Sequence, residues 1–111
     1  MATKRNTVNF IVEQARGAGH VFARKMFGEY GLYCDGKLAA LVCDEQLFLK
    51  PTAAGRALLG DGATEASPYP GAKPCFRIPS EAWDDPDRLS DLIKATAEAL
   101  PVPPPKKRRR S

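Results

Sequence analysis

The stretch 26–51, MFGEYGLYCDGKLAALVCDEQLFLKP, constrains the fold more than any other part of this 111-residue chain. Its apolar runs are interrupted by two short polar pairs. Asp35-Gly36 supplies the positive φ angles that a two-residue hairpin turn needs. Asp44-Glu45 marks a second reversal with residues that adopt positive φ less readily than glycine. Three consecutive antiparallel strands follow from this punctuation. With two-residue turns, Leu32 lies opposite Ala39, Tyr30 opposite Leu41, and Leu41 opposite Phe48. One face then carries Tyr33, Leu38, Ala40, Val42, Leu47 and Leu49. The other carries Tyr30, Leu32, Cys34, Ala39, Leu41, Cys43 and Phe48. A sheet with one wet face alternates apolar and polar residues, and this one does so only at its margins. Both faces are therefore expected to be covered, by helices of the same chain or by a second subunit.

The flanking segments supply those helices. Asn6 or Thr7 can cap a first helix over 7–17, whose stripe is Val8, Ile11, Val12 and Ala15. Phe10 falls off the stripe and hints at a second buried surface. Thr52 can cap a short helix that runs to Leu59 and ends at Gly60. Residues 63–74 are rich in proline and form a loop or irregular hairpin, with Tyr69 as its apolar contact. Cys75-Phe76-Arg77-Ile78-Pro79 reads as a short strand ended by proline. Asp84 or Asp85 then caps a final helix with Pro86 in its first turn and the stripe Leu89, Leu92, Ile93, Thr96, Ala97 and Leu100. Trp83 ahead of this cap packs as a hydrophobic staple. The expected fold is α+β, a mostly antiparallel sheet with helices packed on it.

Chemistry-bearing patterns are sparse. His20 is the only histidine, and Cys34, Cys43 and Cys75 form no CxxC pair, so neither a zinc site nor a disulfide framework is indicated. Free, buried thiols in a reducing cytoplasm are the expectation. Gly28-Glu29-Tyr30-Gly31 opens a strand rather than a helix, which excludes a phosphate-binding loop. Glu29 reads as a strand-end carboxylate, and the aspartates near the final helix as dipole partners rather than metal ligands. No run of about 18 apolar residues predicts a membrane span, and no signal peptide is evident. No enzyme, cofactor or metal site is expected.

Charge is concentrated in one place. The chain has 17 basic and 13 acidic residues, and five of the basic ones are Lys106, Lys107, Arg108, Arg109 and Arg110. The remaining 12 basic and 13 acidic residues leave a nearly neutral body with a net charge of −1. Pro103, Pro104 and Pro105 form an extended spacer ahead of the basic run. Any nucleic-acid contact is expected from this tail, sequence-independent and salt-sensitive.

The run Met26-Phe27-Gly28-Glu29-Tyr30-Gly31-Leu32-Tyr33, with Asp35-Gly36, Leu47-Phe48-Leu49-Lys50 and Arg77-Ile78-Pro79, resembles the TfoX N-terminal domain family, the amino-terminal half of bacterial competence regulators. The resemblance covers about 7–100. It implies the order α-β-β-β-α-β-β-α, with an added strand near 64–69, in a stand-alone copy of that domain. The expected divisions are a disordered 1–6, the domain 7–100, and a spacer and tail 101–111. The resemblance also implies a small regulatory module acting through protein–protein contact. Its partners would be the transcription machinery, another protein or a second copy of itself, with non-specific nucleic acid as the alternative.

Overall fold

The computed structural model describes residues 4–26, 29–60 and 63–100. A six-stranded antiparallel sheet has the order β1-β2-β3-β4-β6-β5. Its strands are β1 Val21–Met26, β2 Glu29–Cys34, β3 Lys37–Cys43, β4 Gln46–Leu49, β5 Glu65–Ala66 and β6 Cys75–Ile78. The helices are α1 Arg5–Gln14, α2 Ala53–Leu59, α3 Ser80–Trp83 and α4 Pro86–Ala99, with a 3₁₀ turn at Arg16–Ala18. The fold is α+β, with the helices packed on the sheet. The expected order holds, elaborated by β1 ahead of the meander and by the single-turn α3 ahead of α4.

Both tight turns form as their residues dictate. Asp35 (φ 52°) and Gly36 (φ 85°) make the first turn, and Asp44 (φ 52°) and Glu45 (φ 63°) make the second in left-handed backbone without any glycine. The register between the turns differs from the simple expectation. Cys34 pairs with Lys37 and Tyr33 with Leu38, but Leu32 then pairs with Ala40 and Tyr30 with Val42. Ala39 is the extra residue of a β-bulge, and one inserted residue moves every later side chain of β3 to the other face relative to β2. Leu41 still lies opposite Phe48.

The bulge redistributes the apolar residues. Tyr30, Leu32, Cys34, Ala40, Val42, Leu47, Leu49, Phe76 and Ile78 join Val8, Ile11, Leu89, Leu92 and Ile93 of the helices in one core. Cys43, Phe48 and Cys75, with Leu41 and Ala66, form a second, smaller cluster on the opposite face. Of the two covers expected, helices of the same chain reach only one face: α1, α2, α3 and α4 all lie on the core side. Cys34 and Cys43, expected on a shared face, lie on opposite ones.

Capping explains most helix boundaries. Asp85 accepts the Arg88 N–H at 3.2 Å at the start of α4, and Thr52 Oγ1 accepts the Gly55 N–H at 3.0 Å at the start of α2. Lys37 Nζ donates to the Ala97 and Leu100 carbonyls at 2.9 and 3.1 Å, closing α4 with a cation at its negative end. The first helix starts at Arg5, two residues before the expected position, with Lys4 as its N-cap and no side-chain cap. Its start is fixed from outside: the Glu45 carboxylate accepts the Lys4 N–H and the Thr7 hydroxyl. These bonds hold the carboxyl below its usual range. Phe10 is 42% exposed and marks no second buried surface. Trp83 is buried within α3, and its Nε1–H donates to the Ile78 carbonyl at 3.2 Å.

At the α2–α4 contact a β-carbon on Gly55 would meet Thr96 Oγ1 at 3.3 Å and Leu49 Cδ2 at 3.4 Å, so the backbones approach closely. Thr96 is fully buried there, and its hydroxyl has no hydrogen-bond partner among the described residues. An unsatisfied buried hydroxyl carries a desolvation penalty, and valine has the same shape with similar helix propensity. Thr96→Val is therefore expected to raise stability by about 1 kcal/mol, read as a higher urea midpoint with unchanged slope. A lower midpoint would contradict this account of the contact.

Candidate functional site

The face turned away from the helices is an apolar sheet surface with a loop folded against part of it. Alternation along β1 and β2 places Phe22 and Tyr33 here, and their rings stack across the strands at 5.1 Å with planes 7° apart. His20 extends this row, its ring 5.6 Å from Phe22. Further along the sheet, Leu38, Leu41 and Cys43 floor an open groove of about 770 Å³, and Pro68, Tyr69 and Pro70 form its wall. Its size falls within the range of small-ligand and peptide sites. Pro68 is buried and anchors the wall, whereas Tyr69 is 54% exposed despite its size. Gly31 stands on this face opposite Leu41 and lays no side chain over the floor.

The groove is electrically polar along its length. Glu29 and Asp44 bound the end nearest the β3–β4 turn, and the Asp44 N–H donates to Glu29 Oε2 at 3.2 Å. Lys50 stands at the other end, beside the bulged Ala39, whose carbonyl accepts the Lys50 N–H at 2.9 Å. Burial, reinforced by the charge of Glu29, the Cys75 thiol and Asp44, pushes the Cys43 thiol up to about 11. Burial likewise raises Cys75, against the opposing charge of Lys50. Cys34 is raised by burial first and then by Asp35 and Glu98. Its Sγ–H donates to the Ala18 carbonyl at 3.6 Å. These thiols are protonated at neutral pH, which disfavours nucleophilic chemistry.

The residues singled out from sequence are placed as follows. Met26 ends β1, while Phe27 and Gly28 lie outside the described residues. Glu29, Tyr30, Gly31, Leu32 and Tyr33 form most of β2. Of these, Tyr30 and Leu32 belong to the helix-side core, while Glu29 lines the groove, which Tyr30 also borders. Lys106, Lys107, Arg108, Arg109 and Arg110 lie outside the described residues. All three cysteines are unpaired and buried. Among the described residues no group of three His, Cys, Asp or Glu is arranged to hold a metal ion, and no helix is long and apolar enough to cross a membrane. Sequence reading missed the groove itself. Its one visible sign was Pro68-Tyr69-Pro70, an aromatic ring between two residues of fixed φ.

A single sheet, covered by helices on one side and carrying a polarised groove on the other, defines a small α+β domain. The family model described as the TfoX N-terminal domain matches residues 13–100, and the chain belongs to that family. A relative from Spirochaeta aurantia, described as an uncharacterized 12.7 kDa protein in the trpE 5′ region, is 40% identical over 107 residues. The match spans 96% of this chain and 91% of the relative, so the likeness extends over both proteins nearly end to end.

The thiols give a direct test of this electrostatic picture. With Cys43 near 11, its thiolate fraction at pH 8 is about 100-fold below that of an ordinary cysteine. Alkylation of the folded chain should be slow at pH 8, accelerate as pH rises toward 11, and become fast on unfolding in denaturant. A thiol in the folded protein that reacts at the unfolded rate at pH 8 would overturn the assignment.

Proposed function

We propose that this domain is a non-enzymatic regulatory module that works by protein–protein contact through the groove face. The observation that carries the reading is the open side of the sheet. An apolar floor in which Leu38 and Leu41 stay partly exposed lies beside a half-exposed Tyr69, with opposite charges at the two ends. Exposed apolar surface with a polar rim is characteristic of binding sites rather than of plain solvent faces. Family membership supports a role like that of the N-terminal domain of competence regulators, with the transcription machinery as one partner class. The three unpaired thiols fit a reducing cytoplasm.

A second reading draws on the charge of the tail. Five cations at 106–110 on a body of net charge −1 favour non-specific nucleic-acid binding that depends on this segment alone. Neutralising about five phosphates gives a slope of log K against log salt near −4 to −5.

Two variants and one truncation separate the readings. Leu41→Glu buries a carboxylate in the groove floor, and Tyr69→Ala removes the exposed ring; Leu58→Ala on α2 is the control. Proteins captured from a bacterial lysate by the native chain and by the control are expected to be lost with both groove variants, each shown to be folded by its circular dichroism melt. Capture that persists undiminished in both would refute the groove reading. Fluorescence anisotropy with labelled DNA at low and near-physiological salt addresses the tail. Binding should vanish for residues 1–105, and full affinity in that truncation would sink the second reading.

A further inference from the structure

We infer that the outer edge of β1 docks a second copy of this chain, whose own β1 pairs with it antiparallel and joins the two sheets into one. No groove residue takes part, so this contact stands apart from the one proposed for partners.

The two edges of the sheet are built differently. β5 spans only Glu65–Ala66 and is followed by a loop with Pro68, Pro70 and Pro74, a short and proline-flanked edge that resists pairing. β1 spans six residues, Val21–Met26, without proline and with an unbroken register to β2. Among the described residues no strand pairs with its outer side. The helix layer is anchored further in. α1 starts at the β3–β4 turn, where Thr7 donates to Glu45, and the 3₁₀ turn after it is held to β2 by the Cys34 thiol on the Ala18 carbonyl.

The backbone then selects a register. The Asp35 N–H donates to the His20 carbonyl at 2.9 Å, one rung beyond the pair Val21 and Cys34. Alternation from that rung gives Phe22 and Arg24 their bonds to β2 and turns the N–H and C=O of Val21, Ala23 and Lys25 outward. Two copies of β1 can bond only where these outward residues meet. Ala23 opposite Ala23 of the second copy, with Val21 opposite its Lys25, engages all of them in about six hydrogen bonds. Sliding until Ala23 meets Lys25 opposes the two Arg24 side chains directly, which like charges disfavour. Sliding the other way, until Ala23 meets Val21, leaves Lys25 unpaired.

Side chains fit the same register. It sets Phe22 opposite Arg24 of the second copy, at a non-bonded site where side chains approach most closely. Tyr33 covers one face of the Phe22 ring, with centroids 5.1 Å and planes 7° apart, so the other face looks away from β2 over the free edge. Arg24 is exposed and makes no ion pair among the described residues. Its guanidinium over the free face of Phe22 makes a cation–π contact, and the two-fold axis makes it twice. Charges on an edge usually guard it against pairing, but here each meets an apolar residue, since the stem of Lys25 lies along Val21. The axis passes through Ala23 perpendicular to the sheet. Both groove faces therefore lie on the same side of the joined sheet, and one partner can meet two grooves.

A single strand edge buries less than the about 1,200 Å² at the lower bound of stable interfaces, so the association is weak and reversible. Sedimentation of the full chain from about 1 µM to 1 mM should show the average mass rise from 12.1 kDa toward twice that value. Over the same rise the amides of Val21, Ala23 and Lys25 should gain protection from hydrogen exchange. Those of Phe22 and Arg24, bonded to β2 in monomer and dimer alike, should change little. Ala23→Pro removes only an outward N–H and is expected to stay monomeric, whereas Leu41→Glu in the groove still dimerises. A mass of 12.1 kDa at every concentration, or association without the alternating protection, would overturn the proposal. So would a dimer lost in Leu41→Glu and kept in folded Ala23→Pro, because the self-contact would then be the groove. If Ala23→Pro does not fold, the exchange pattern of the native chain decides alone.

Discussion

The bulge at Ala39 is the constraint on which the rest of the structure depends. A strand pair carries its side chains with a period of two, so one inserted residue exchanges the faces of everything beyond it. Here the exchange brings Tyr30, Leu32, Ala40 and Val42 onto one side, where they and the helices form a single core. Leu41, Cys43 and Phe48 are left on the other side. Without the bulge each face would have been mixed, and neither would have matched the helix layer. Ala39 and Ala40 are small enough to sit fully buried where the ladder is irregular.

The second turn shows how a locally unfavourable backbone is held by its surroundings. Asp44 and Glu45 both occupy left-handed backbone that glycine would adopt at less cost. Their functional groups are engaged elsewhere in the fold. The Asp44 N–H meets Glu29, and the Glu45 carboxylate binds the start of α1. Tertiary hydrogen bonds thus offset a conformational penalty in the turn, and glycine in place of Glu45 would lose the two that its carboxylate accepts. The same bonds decide where α1 begins, which explains why Arg5 precedes the position expected from Asn6 and Thr7.

These two cases mark the boundary of what the sequence makes legible. Elements whose signals are local were readable: Asp35-Gly36 as a turn, Thr52 and Asp85 as caps, and the stripe from Leu89 to Ala97 as a buried helix face. The family, too, could be seen in the block around Tyr30. Elements settled by contacts between distant segments were not. Nothing near Ala39 announces an unpaired residue. Glu45 stands 38 positions from the threonine it binds. Trp83 joins the core as the last residue of α3, and its indole N–H finds the Ile78 carbonyl, which no helix-entry motif reveals. The groove belongs to this second kind. Its floor could be read as apolar, but its openness depends on the face assignment and on where residues 67–72 cross the sheet.

An apolar face that the described residues leave partly open needs a reason, because hydrophobic burial is the main favourable term in folding. The helix layer leaves this one uncovered, although the chain has enough helices to distribute. They all pack on α4 or the core side, with Gly55 allowing α2 to approach Thr96 and Leu49 closely. The loop with Tyr69 covers only a strip of the opposite face, and it presents the ring outward rather than sealing the floor. The charges at the two ends of the groove would add nothing to a surface meant only to be hidden. They are of use if what covers the floor must also be oriented. A cover held in part by exposed charges is weak enough to exchange, since screened surface pairs contribute little individually. That combination of directional and replaceable contact is what a regulatory surface requires.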